Sequence, residues 1–241
     1  MKRKVETIEN RWDILYNEYP EVYDEFAMVK KHPSIDEVLK QHFDFKNKIL
    51  LDIGSGTGDS SFPFANLCKE IIGIEIEDEM RFIGNQYAIQ RKIKNISFIQ
   101  GDAMDIPLKA NSIDISMAIT LPLFIPDDIR NYVNEATRVT KKDGYVINVG
   151  IAPLWYGGEY APIILGEARI TEEDTEGVTN KILCDEFGFE YFDVDMIQEY
   201  GSLDKIVSTY GFIFGSNVIN YLKEHHLTSV HWRFRVHYKK K

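Results

Sequence analysis

The chain has 241 residues, 44% of them hydrophobic, and a formal net charge of −10. That length supports one large core with accessory segments, and the acidic balance argues against phosphate backbones and anionic membranes as partners, so neither nucleic acid nor membrane is expected. No run approaches the roughly 20 apolar residues of a membrane span, no apolar stretch follows Met1-Lys2-Arg3-Lys4 as in a signal peptide, and Cys68 and Cys184 have no partner at metal-ligand spacing, which points to a cytoplasmic protein without a metal site.

Residues 8–45 carry Trp12, Tyr16, Tyr19, Tyr23, Phe26, Phe43 and Phe45 at loosely helical spacing. They predict two or three short helices broken at Pro20 and Pro33, with Ser34 as N-cap of a helix over 35–42. This makes an N-terminal helical cap over 1–45 and a main domain over 46–241. From there strand and helix alternate: strand 48–53, helix 59–68, strand 71–75, then a helix over 78–92 made amphipathic by Met80, Ile83, Tyr87 and Ala88. Strands at 96–100 and 113–119 follow. A helix opened by Asp127 and Asp128 repeats Ile129, Val133, Ala136 and Val139 on one face and should end at Lys141-Lys142-Asp143-Gly144, ahead of a strand over 145–149. Five strands joined by such connections imply right-handed crossovers and a parallel sheet, an α/β fold.

Residues 151–168 hold two prolines, three glycines, Trp155, Tyr156 and Tyr160, which reads as an ordered loop or short helical insertion. A helix over 179–187, a strand over 190–198, two helices within 202–226 punctuated at Gly215, and a strand over 230–238 complete the chain. Lys239-Lys240-Lys241 reads as a solvated tail.

The stretch Leu50-Leu51-Asp52-Ile53-Gly54-Ser55-Gly56-Thr57-Gly58-Asp59 places three glycines at alternate positions after an apolar strand. Without a Cβ they permit positive φ and close approach of a ligand to the main chain, and a following helix would present free N–H groups. The dinucleotide fingerprint needs glycine where Asp59 stands and puts no acid at Asp52. Glu75 ends the second strand 21 residues after Gly54, the spacing at which an acid accepts ribose hydroxyls in nucleoside-binding α/β proteins.

Here the chain resembles the class I S-adenosylmethionine-dependent methyltransferases. The stretch Gly101-Asp102-Ala103-Met104-Asp105-Ile106-Pro107-Leu108, followed by Ser112-Ile113-Asp114, is similar to the methyltransferase type 11 group. The resemblance implies a Rossmann-like, seven-stranded, mostly parallel sheet with an antiparallel edge strand and helices on both faces. It implies S-adenosylmethionine as cofactor and S-adenosylhomocysteine as product. Gly54, Ser55 and Gly56 would seat the methionine portion, and Asp52 would either accept from its ammonium or orient the turn. Glu75 would take the ribose and Ile76 would lie against the adenine. Asp102 would accept from the adenine amino group and Ala103 donate through its backbone, with Met104 completing the set.

The acceptor side is expected among the N-terminal helices, the turn Thr120-Leu121-Pro122-Leu123-Phe124 and the insertion, all apolar and aromatic, so the acceptor is a small organic molecule of that character. The turn lacks the Asn/Asp-Pro-Pro-Tyr/Phe of enzymes that methylate bases or amides. No P-loop, H-E-x-x-H or G-x-S-x-G occurs. His225, His226, His231 and His237 fall in the C-terminal helix and strand. His32, His42, Tyr156, Glu159 and Tyr160 belong to no motif, so no catalytic residue is assigned. Two other readings remain: a non-catalytic cofactor-binding protein or partner subunit of the same fold, and an aminopropyltransferase, which would need carboxylates around its acceptor amine.

Overall fold

Short apolar runs become strands buried on both faces, which need no polar alternation. The computed structural model describes residues 5–166 and 175–241, apart from the side chains of Tyr16, Pro20 and Asp24. The strands are β1 Lys31–His32, β2 Ile49–Ile53, β3 Glu70–Glu75, β4 Ile96–Gln100, β5 Ile113–Ile119, β6 Thr140–Ile151, β7 Glu190–Glu199 and β8 Ser229–Lys240. They form one sheet in the order β1-β7-β8-β6-β5-β2-β3-β4. Strand β2 runs parallel to β3 and β5, β3 to β4, and β5 to β6. Strand β8 is antiparallel to β6, since Asp143 N donates to Lys241 O and Ala152 N to Arg233 O. The fold is the expected Rossmann-like one. Its eighth strand, β1, pairs antiparallel with β7 and is two residues long, too short to leave an alternation in the sequence.

Among the described residues the α-helices are α1 Trp12–Glu18, α2 Pro20–Met28, α3 Ile35–His42, α4 Asp78–Gln90, α5 Pro126–Val139, α6 Ala161–Leu165, α7 Thr175–Lys181, α8 Leu203–Ile206, α9 Phe212–Phe214 and α10 Ser216–His225. None is long and apolar enough to cross a membrane. The chain divides into two units, one drawn from Asp36–Ile151, Thr175–Val194 and Arg235–Lys241, the other from Met1–Ile35, Ala152–Asp174 and Asp195–Phe234. The last two residues of the 151–168 insertion lie outside the described residues.

In the first unit, α5 buries Ile129, Tyr132, Val133, Ala136 and Val139 against Leu51, Ile53, Ile74 and Ala118 of the strands. Its end differs from expectation. The buried Thr140 is already extended, and its Oγ1 donates to Ala136 O at 2.6 Å. Lys141-Lys142-Asp143-Gly144 therefore forms an irregularity of β6, where the register shifts between Ile113 and Ile115, with Asp143 at φ 65°. The lysine tail is also ordered: Lys241 Nζ donates to Thr137 O and Thr140 O, each at 2.8 Å, because the carbonyl end of α5 attracts a cation.

Two further helices differ from expectation, one in failing to form and one in part of the face it buries. Over 59–68 only the 3₁₀ turn Phe62–Phe64 forms. Pro63 has no N–H and its ring excludes the carbonyl four residues back, so the segment is closed by bonds such as Ser61 N to Gly58 O and Phe64 N to Ser61 O. In α4 the buried residues are Gly84 and Ala88, while Met80 and Tyr87 are exposed. The helix approaches the sheet through its small residues: a Cβ on Gly84 would lie 3.0 Å from the Phe98 ring.

The second unit has an aromatic core. Trp12 meets Phe26 and Phe214, and Tyr19 meets Phe212 at 5.1 Å between ring centroids. Pro20 opens α2 instead of only ending its predecessor. The fully buried Gln198 donates to Phe26 O and Val29 O and accepts from Trp232 Nε1.

Candidate functional site

The glycine turn leaves the carboxyl end of β2. Gly54, Gly56 and Gly58 have φ of 71°, 52° and 93°, so all three use the conformation that favours glycine. Their surroundings differ. An added Cβ would lie 2.4 Å from Leu121 Cδ1 at Gly54 and 2.4 Å from Phe98 Cζ at Gly58, but would meet nothing within 4 Å at Gly56. Gly56 is thus the point where a ligand can lie against the main chain. Four amides of the turn itself are already engaged. Gly54 N and Ser55 N both donate to Ile74 O, Gly58 N to Ser55 O, and Gly56 N to Glu75 Oε2 at 2.9 Å. No donor among the described residues reaches the Gly54 and Gly56 carbonyls, which suit a cation such as an ammonium.

Asp52 is 1% exposed. Its Oδ2 accepts from the Ser60 and Ser61 hydroxyls, each at 2.6 Å, and its Oδ1 is buried without a partner. Burial pushes its pKa up, the two hydroxyls oppose this, and the Glu75 charge adds to the rise. Oδ2 is thus engaged by the hydroxyls that follow the turn, while Oδ1 keeps its acceptor capacity. Ser55 is buried too, and its Oγ lies 3.4 Å from Ile74 O.

Glu75 joins the strand ends. Oε2 accepts from Gly56 N, and Oε1 from Ile76 N at 2.8 Å and Glu77 N at 3.0 Å. Its main-chain oxygen accepts from Gly101 N at 3.3 Å. The turns after β2, β3 and β4 are therefore tied through one residue. Of the roughly four acceptor positions of a carboxylate, these bonds leave one on Oε2. Ile76 is 59% exposed, an apolar surface beside that carboxylate. Arg81 Nη1 holds the same turn through Glu75 O and Ile76 O at 2.7 and 2.8 Å.

Past β4, Asp102 Oδ1 accepts from Met104 N at 2.8 Å and Asp105 N donates to Asp102 O. Ala103 and Met104 are half-buried. Two residues of α5 that sequence reasoning missed hold this turn from outside. Glu135 Oε2 accepts from Ile106 N at 2.9 Å, and Arg138 donates to Ile106 O and Leu108 O. The signal was an acid and a base three apart on the polar face of a helix whose apolar face drew the attention. Phe98 was also missed: a Cβ on Gly58, Gly73 or Gly84 would meet its ring at 2.4, 2.5 or 3.0 Å. Asp52, Gly54, Ser55, Gly56, Glu75, Ile76, Asp102, Ala103 and Met104 thus gather at the carboxyl ends of three adjacent parallel strands, where α/β sheets bind nucleotides.

Residues 51–148 match the family model of the methyltransferase domain. They form a class I methyltransferase domain. The cofactor of that family is S-adenosylmethionine, as the resemblance implied. Over 95 residues the chain is 33% identical to the uncharacterized methyltransferase YcgJ of Bacillus subtilis, covering 39% of this chain and 37% of that one. Over 110 residues it is 32% identical to demethylmenaquinone methyltransferase of Paenarthrobacter aurescens, covering 44% and 41%. The chain thus spans about two fifths of the length of these two relatives. The crystal structure of YcgJ shares the fold, with a TM-score of 0.59 at 17% identity over 86% of this chain and 98% of that one.

Proposed function

We propose that this chain transfers a methyl group from S-adenosylmethionine to a small organic acceptor with an apolar or aromatic body. The observation that carries this reading is the junction at Glu75, which ties Gly56 and Gly101 into one platform. On this platform the Gly54 and Gly56 carbonyls face the methionine ammonium, the remaining Glu75 position takes a ribose hydroxyl, and Asp102 with the Ala103 amide reads the adenine edge. When bound, the cofactor supplies a methyl group already activated by its sulfonium charge, so the chain's task is alignment. A base is needed only if the acceptor must lose a proton, and no residue is assigned that role.

The apolar acceptor is supported by the turn after β5. It contains no charged side chain, Leu121 covers Gly54, and Phe124 is 71% exposed. The missing carboxylates weigh against aminopropyl transfer. The histidines offer little to a proton transfer: burial drives His237 down to about 4 beside Asn180 Oδ1 at 3.0 Å, and His225 bonds Tyr221 O. The free thiols of Cys68 and Cys184 support a reducing, cytoplasmic setting. The names of the demethylmenaquinone methyltransferases make a naphthoquinol the first acceptor to try.

The test is transfer from methyl-labelled S-adenosylmethionine to a short-chain demethylated naphthoquinol, and to phenols and amines as a panel. Labelled product with stoichiometric S-adenosylhomocysteine is expected. Cofactor binding without transfer to any of them would favour the non-catalytic reading.

A further inference from the structure

We infer that Glu135 and Arg138 are positioning residues that make the site selective for an aminopurine cofactor over its oxopurine analogue, an inference that rests on the proposed cofactor reading. Arg138 Nε and Nη2 each lie 2.7 Å from a Glu135 oxygen. The same guanidinium donates from Nη2 to Ile106 O at 2.8 Å and from Nη1 to Leu108 O at 2.9 Å. Glu135 Oε2 accepts from Ile106 N at 2.9 Å. Both polar backbone groups of Ile106 are thus held by one rigid pair.

The stretch 101–108 is fixed at two ends. Gly101 is held by Glu75 O, and Pro107 packs so close that its Cδ would lie 2.9 Å from a Cβ on Gly101. The other end is the clamp. Between them Asp102, Ala103 and Met104 are supported by the turn's own bonds, Met104 N to Asp102 Oδ1 and Asp105 N to Asp102 O. The direction of the Asp102 carboxylate and the Ala103 amide therefore follows from where the clamp sets Ile106.

Magnitude separates this role from a stabilising one. The Arg138 and Glu135 side chains are 38% and 19% exposed, and an ion pair that water reaches adds little to the fold by its charges alone. Its fork geometry, which lysine cannot reproduce, is what matters. An acceptor beside a donor at the base edge matches adenine, with its amino group and ring nitrogen. A hypoxanthine reverses both, placing a carbonyl before the carboxylate and an N–H before the amide.

The experiment compares binding of S-adenosylhomocysteine and S-inosylhomocysteine to the full chain by calorimetry. Wild type should prefer the adenosyl compound by about tenfold or more, the worth of a hydrogen bond to a charged group. Arg138→Met should reduce that preference to below about threefold by weakening the adenosyl compound alone, with Arg138→Lys intermediate. Should Arg138→Met fail to fold, Glu135→Ala, which frees Ile106 N, should narrow the preference likewise. A variant that folds and keeps the wild-type preference overturns the positioning role and leaves the cofactor reading standing. A wild type that binds both equally overturns the inference and leaves the cofactor reading standing, and one that binds neither overturns both.

Discussion

Replacing Glu75 by alanine removes the acceptor for three amides at once, and their surroundings set the cost. The bond from Gly56 N is partly buried, whereas those from Ile76 N and Glu77 N are exposed and water replaces the lost acceptor there. The fold should therefore lose one charge-assisted hydrogen bond, about 2 kcal/mol. For a chain of 241 residues that lowers the melting temperature by about 4–8 °C. Cofactor binding should fall further, because the remaining carboxylate position is the one assigned to the ribose. The loss is about 1–3 kcal/mol, or 5- to 150-fold in the dissociation constant. Thermal unfolding and calorimetric titration with S-adenosylhomocysteine read the two losses separately. A Glu75→Ala protein that melts lower yet binds with wild-type affinity would refute the ribose assignment, and one unchanged in both would refute the junction itself.

The packing around Phe98 predicts a coupled pair. A Cβ on Gly73 would lie 2.5 Å from Phe98 Cδ1 and 2.7 Å from Ser55 Oγ, so Gly73→Ala should cost about 1–3 kcal/mol by overpacking. Phe98→Leu should recover about 1 kcal/mol or more of that in a double-mutant cycle by denaturant unfolding, and additive losses would contradict the shared contact. Acid should act through His237, whose pKa falls from 6.5 to about 4 chiefly by burial. Above pH 6.5 both folded and unfolded chains hold it neutral. Between pH 6.5 and 4 only the unfolded chain gains the proton, so stability falls with pH by up to about 3 kcal/mol. Denaturation curves from pH 7 to pH 4 should show a smaller decline for His237→Asn, and equal declines would remove His237 from the account.

Strands β2 to β6 were legible because each is an apolar run between turns, and α5 because its four apolar positions repeat at helical spacing. The residues at the carboxyl ends of β2, β3 and β4 were legible for a related reason: parallel topology converts a spacing along the chain into neighbourhood. Features that depend on partners remote in sequence were not. Strand β1 exists only by pairing Lys31 and His32 with Ile197 and Gln198. Lys241 reads as a tail until the carbonyl end of α5 is placed beside it. Nothing in the spacing of Gly58, Gly73 and Gly84 reveals that one phenylalanine ring occupies the room all three leave. Pro63 was legible and its consequence was overlooked, since the apolar residues around it suit a helix.

The most direct test of the central claim is a calorimetric titration of the purified chain with S-adenosylmethionine and S-adenosylhomocysteine, with NAD as control ligand. Micromolar binding of the first two and none of NAD is the predicted result. Absence of binding, or preference for NAD, would mean that the carboxylates and glycines at these strand ends serve another ligand, and the methyltransferase reading would fall.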